Sequence, residues 1–144
     1  MSREPMRRRC PGAQPLGPSR LEDWRFVITQ DRYASVVPMQ GATVHGVLWR
    51  LTPRDLAALH AYERLGAGLY GGRTLAVRHG DQLRRARVYV GRTKMPGRPL
   101  PGYQEGIVAA ARAWGFPADY VAELEGWLPS AEHGANGRKA VARR

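Results

Sequence analysis

TVHGVLWRLTPRDLAAL, residues 43–59, sets a strand directly before a helix. Val44, Gly46, Leu48 and Arg50 alternate with His45, Val47, Trp49 and Leu51, the period of two that marks an extended strand. The helix signals follow without a gap. Thr52 is a capping residue type, Pro53 stands at the first helical position, and Asp55 puts a negative charge in the first turn, where the helix dipole favours it. Leu56, Leu59 and Tyr62 or Glu63 then recur at helical spacing until Gly66 and Gly68 end the run.

Toward the N-terminus, Ala34 to Val37 reads as a short strand stopped by Pro38, and Gln40-Gly41 as a turn. Trp24 to Thr29 is a further strand. Residues 1–20 are rich in Arg, Pro and Gly and read as mostly irregular, with a short helical turn over Arg3 to Arg9. Toward the C-terminus, Arg73 to Arg78 and Arg85 to Val90 form a strand pair around the turn His79-Gly80-Asp81. Residues 93–102 (TKMPGRPLPG) are a loop by their Pro and Gly content. Ile107, Ala111 and Trp114 line one face of a first closing helix, which Gly115 stops. Pro117 opens a second, lined by Tyr120, Leu124 and Trp127 or Leu128. The order of elements predicts an α+β domain over residues 1–128 rather than a parallel α/β fold. Residues 129–144 are expected to be a disordered basic tail.

The length of 144 residues suits one domain, and the apolar fraction of 43% is ordinary globular usage. No apolar segment is long enough to span a membrane, and the arginines at the N-terminus are not followed by the apolar run of a secretory signal. The lone Cys10 makes a reducing, cytoplasmic setting the expectation. The net charge is +11, and every basic residue except Lys94 and Lys139 is Arg. These residues fall in scattered clusters rather than one stripe, which favours a solvated basic surface over a nucleic-acid interface.

The chemistry-bearing residues are few. His45, His60, His79 and His133 lack ligand spacing, so no metal is expected. There is no P-loop and no nucleophile elbow, and Cys10 has no base paired with it, so it reads as a structural thiol. The segment LHAYERLGAGLY, residues 59–70, stands apart. Glu63 falls on the side of the helix shared by Leu56 and Leu59, where a carboxylate is costly unless it is paired or functional. Burial there would raise its pKa toward that of a usable base. Periodicity alone ranks a surface carboxylate paired with Arg64 or Arg73 ahead of that reading.

Residues 59–70 resemble the γ-glutamylcyclotransferase family pattern Leu-Asp-x-Tyr/Gln-Glu-Gly, followed by a Gly-rich stretch and a Tyr. RRCPGA at residues 8–13, TVHGVLWRLTPRDLAAL, ARVYV at residues 86–90 and PGYQEGIVAAARAWGFPADYVAEL resemble further family segments in the same order. The resemblance implies a small mixed, barrel-like sheet with flanking helices and no cofactor. It implies that the α-amine of a γ-glutamyl group attacks its own γ-carbonyl, closing 5-oxoproline and releasing the attached amine. In that reaction positioning is a large term and one carboxylate can shuttle the proton. The resemblance gives the shuttle role to Glu63 and places Tyr70 and Tyr103 in the substrate pocket.

The chain departs from the family pattern at three places. The family's opening strand and its Tyr-Gly-Ser-Asn loop align just before Met1, as in a late-chosen start or a shortened homologue. His60 stands where the family has Asp, and Arg64 where it has Gly. A catalytically inactive family member acting as a small-molecule-binding or interaction module is therefore the alternative to an enzyme. Nucleic-acid binding, motivated by charge alone, is the third reading.

Overall fold

The computed structural model describes residues 10–65 and 70–129, and the side chains of residues 62–65 and Tyr70 are outside that description. Gly66 and Gly68, the expected helical turn over Arg3 to Arg9, and all but the first residue of the expected tail lie outside the described residues. The elements are β1 (Gln14–Ile28), β2 (Ala34–Arg50), α1 (Pro53–Leu65), β3 (Tyr70–His79), β4 (Gln82–Gly91), α2 (Tyr103–Ala113) and α3 (Ala118–Glu125). The strands form one sheet in the order β2-β1-β3-β4. The α+β class is as expected, but every described strand pairing is antiparallel rather than mixed.

The strand of residues 43–51 is the second half of a much longer one. β2 runs without a break from Ala34 through Pro38 to Arg50 and pairs with β1 along its length. Pro38 does not stop it because β2 is an outer strand, where a missing N–H removes no second ladder bond. The expected turn at Gln40-Gly41 is instead an irregularity within the pairing: Pro38 lies opposite Trp24 and Thr43 opposite Glu22. Asp23 fills the short side at φ 69°, and its carboxylate accepts the Gly41 N–H at 2.9 Å, with Gly41 at φ 85°. β1 likewise begins at Gln14, inside the stretch read as irregular. Pro15 and Pro18 are accommodated because the one registered β1–β3 pair is Arg20 with Arg78, so the prolines face β2 alone. A second irregularity between Pro15 and Gly17 leaves the Leu16 carbonyl outside the ladder, and His79 Nε2 lies 3.0 Å from it.

The two faces of β2 serve separate cores. His45 packs on Phe116 and Tyr120, and Val47 on the helical core of Phe26, Ile28, Val108, Ala111, Tyr120 and Leu124. Leu48 joins a second cluster with Leu21, Val36 and Val77. Ile28 and Leu124 are wholly buried, and each such side chain stabilises the fold by about 1.5–3 kcal/mol relative to exposure. Gln104 is also fully buried, its amide donating to the Leu124 carbonyl at 2.9 Å and so tying α2 to the end of α3. Gly115, at φ 74°, ends α2 as expected.

Candidate functional site

α1 follows the Arg50 end of β2 in the chain and precedes β3, which opens at Tyr70. Its start is held firmly. Thr52 Oγ1 accepts the Asp55 N–H at 3.0 Å, and an Asp55 carboxylate oxygen accepts the Thr52 N–H at 3.3 Å, a reciprocal cap. The other Asp55 oxygen accepts the Gly12 N–H at 3.3 Å. The Cys10 thiol donates to the Asp55 carbonyl at 3.6 Å. Cys10 is thus a structural thiol at 1% exposure that pins the segment before β1 to the helix. A Cβ at Gly12 would stand 2.8 Å from Asp55 Oδ2, so this approach requires glycine. Burial pushes the Asp55 carboxyl up, but the bonds from Thr52 and Gly12 and the charge of Arg54 outweigh it, and its pKa lies below the ordinary value.

Leu56 and Leu59 on α1 face a groove of about 1010 Å³ that runs between the outer strands β2 and β4. The sheet curls to bring these strands opposite one another across it. Val36, at the start of β2, and Tyr89, near the end of β4, line it at one end. The residues just beyond them converge there. Tyr70 is the register partner of Gly91, and the Gly91 N–H donates to Ser35 Oγ at 2.7 Å. Next to Ser35, the Ala34 N–H donates to the Tyr103 hydroxyl at 3.1 Å. Tyr103 meets Tyr33 edge to face, with ring centroids 5.4 Å apart.

The loop of residues 93–102 is fastened to this same end. Gly97 N–H donates to the Ile28 carbonyl at 2.8 Å and Gln30 N–H to the Met95 carbonyl at 2.9 Å. A Cβ on Gly97 would lie 2.3 Å from the Thr29 carbonyl oxygen, so no other residue fits. Arg92 holds Asp31 through two nitrogens, each 3.1 Å from a carboxylate oxygen.

The expected site residues fall into this frame in different ways. Glu63 lies in the last turn of α1, four residues beyond the groove-lining Leu59, and its side chain is not among those described. Tyr70 opens β3, with its backbone placed opposite Gly91. Tyr103 opens α2 half-buried, its hydroxyl engaged with the β2 backbone. Ser35 and Gly91 carry no sequence signal that marks them: one is a small residue in a strand, the other a strand-terminal glycine. Among the described residues no group of three or more His, Cys, Asp or Glu is placed to hold a metal ion. Among them, too, no helix is long and apolar enough to cross a membrane.

Among the described residues, a four-stranded antiparallel sheet with three helices, its outer strands lining one groove, defines the class of domain. Residues 43–124, more than half of the chain, match the model of the AIG2-like family, and the chain belongs to that family. The fold is similar to a solved γ-glutamyl cyclotransferase, with TM-score 0.78 and 22% identity over 89% of this chain and 82% of that one. It is also similar to an uncharacterised protein from Homo sapiens (TM-score 0.76, 23% identity, 88% and 81% covered). YkqA from Bacillus subtilis matches with TM-score 0.69 and 21% identity over 78% of this chain and 44% of that one. No curated protein matches the sequence.

Proposed function

We propose that the chain cyclises a γ-glutamyl amine or peptide to 5-oxoproline, with Glu63 as general acid and base. The observation that carries this reading is a bridge at one end of the groove, where Ser35 ties the Tyr70–Gly91 end of the β3–β4 ladder to the start of β2 that Tyr103 holds through Ala34. Glu63 lies on α1 four residues beyond Leu59, which lines the same groove. Family membership and the fold shared with a γ-glutamyl cyclotransferase support it.

In the proposed reaction the substrate α-amine forms a C–N bond to the γ-carbonyl carbon as Glu63 takes a proton from the attacking nitrogen. The tetrahedral species then expels the attached amine, and the carboxylic acid returns the proton to that nitrogen. Folding the substrate so that amine and carbonyl meet supplies much of the rate, which is the work assigned to Tyr70 and Tyr103. The setting proposed is the cytoplasm, with a small γ-glutamyl compound as the partner.

The test is 5-oxoproline release from γ-glutamyl dipeptides. Glu63→Gln is expected to lower kcat by about 10²- to 10⁴-fold, the range of a lost general acid–base group. Normal turnover by that variant would remove Glu63 from the mechanism. A wild-type chain that binds a γ-glutamyl analogue without turnover would point to the binding-module alternative.

A further inference from the structure

Ala34 and Ser35 open β2 and grip two distant parts of the chain. Ala34 N–H reaches the Tyr103 hydroxyl at 3.1 Å. Ser35 is 5% exposed, and its Oγ accepts the Gly91 N–H at 2.7 Å across 56 positions of sequence. This bond is no part of the sheet ladder, because β2 and β4 are not neighbours in the strand order. It is a side-chain bridge between the two outer strands at the end of the groove. The Ser35 hydroxyl also points to the Val36 carbonyl at 3.4 Å, which orients its lone pairs toward Gly91. A Cβ on Gly91 would stand 3.1 Å from Ser35 Oγ and 3.2 Å from Ser35 Cβ, so a larger residue there would push Ser35 back.

Gly91 is the register partner of Tyr70 and ends the β3–β4 ladder. We infer that Ser35 is a positioning residue of the candidate site. Its hydroxyl fixes the spacing between the strand end that begins with Tyr70 and the strand start that Tyr103 holds. Removing it leaves the Gly91 N–H without its acceptor and frees the β4 end to drift from β2. The inference rests on the proposed site, but its geometric part is separable from the reaction.

The experiment uses the full chain labelled with 3-fluorotyrosine, read by fluorine NMR beside steady-state kinetics. In Ser35→Ala the Tyr70 and Tyr103 resonances are expected to shift, while that of Tyr120, packed on His45, stays in place. For 5-oxoproline release, kcat should fall by about tenfold to a hundredfold, as for a reacting group misplaced by about 1 Å, with KM little changed. Gly91→Ala reaches the same displacement from the other side and decides the matter if Ser35→Ala does not fold. Unmoved Tyr70 and Tyr103 signals with normal kcat would overturn the inference. A shift of all tyrosine signals together would also overturn it, since Ser35 would then be a general packing residue. If the wild-type chain releases no 5-oxoproline but the two signals still move selectively, the proposed reaction falls and the positioning role stands.

Discussion

His45 shows how one titratable ring on a sheet ties stability to pH. Its ring lies 4.7 Å from that of Tyr120 and 5.9 Å from that of Phe116. Burial disfavours the imidazolium, the nearby Arg20 cation adds to this, and Asp119 opposes it in part, so the pKa lies below its ordinary value. With the folded pKa depressed, the unfolded chain takes up the proton first as the pH falls. The stability His45 contributes is therefore whole above about pH 6.5 and is lost as the pH drops from there through the folded value. The thermal midpoint of the wild-type chain is expected to fall between about pH 7 and pH 5.5. That of His45→Phe should fall less, and equal slopes would exonerate His45. Asp55 acts in the same direction in more acid solution. Its lowered pKa gives stability that is present above the ordinary carboxylate range and lost as the pH falls through the folded value.

At the scale of the element, α1 is the part most exposed to a single change, because its first turn anchors both the helix and the segment at Cys10 and Gly12. Thr52→Ala removes the capping oxygen and should cost about 1 kcal/mol. That corresponds to a fall in the melting temperature of roughly 4 °C. Thr52→Ser keeps the oxygen and should stay close to wild type. Calorimetry on the pair separates the cap from the lost methyl group. This helix was legible in the sequence because its signals are local: Thr52, Pro53 and Asp55 act on neighbours three residues away. The hairpin around His79 to Asp81 was legible for the same reason, with Gly80 at φ 62°. The length of β1 and β2 was not. Pro15, Pro18 and Pro38 are strand breakers by local rules, and what excuses them is the absence of a second partner on the side they face, a property of strand order. Glu63, Tyr70 and Tyr103 were named through family resemblance. Ser35 was missed because its partner is 56 positions away.

On the scale of the whole molecule, the sheet leaves β2 and β4 facing each other across a groove of about 1010 Å³. Leu21, Val44, Leu48, Leu56 and Val77 are among its lining residues. An apolar groove of this size in a folded chain should bind a dye such as ANS without loss of near-ultraviolet dichroism, unlike the loosened state that usually binds it. Leu59→Asp, at the groove wall, should reduce the signal of this anionic dye; dye fluorescence that appears only as the dichroism melts would count against an open native groove. The sparse seam between β1 and β3 carries a different consequence. With Arg20 and Arg78 as its one registered pair, the sheet resembles two leaves of a book on a narrow spine, one leaf made of β1 and β2, the other of β3 and β4. The residues of the candidate site come from both leaves, and the Ser35–Gly91 bond is the clasp at the open edge. Along the spine the leaves are also joined by the Arg78–Glu22 ion pair, the His79–Leu16 contact and the packing of Leu21 on Val77. The spine therefore acts as the hinge, and the clasp governs how far apart the Tyr70 and Ala34 ends of the two leaves stand.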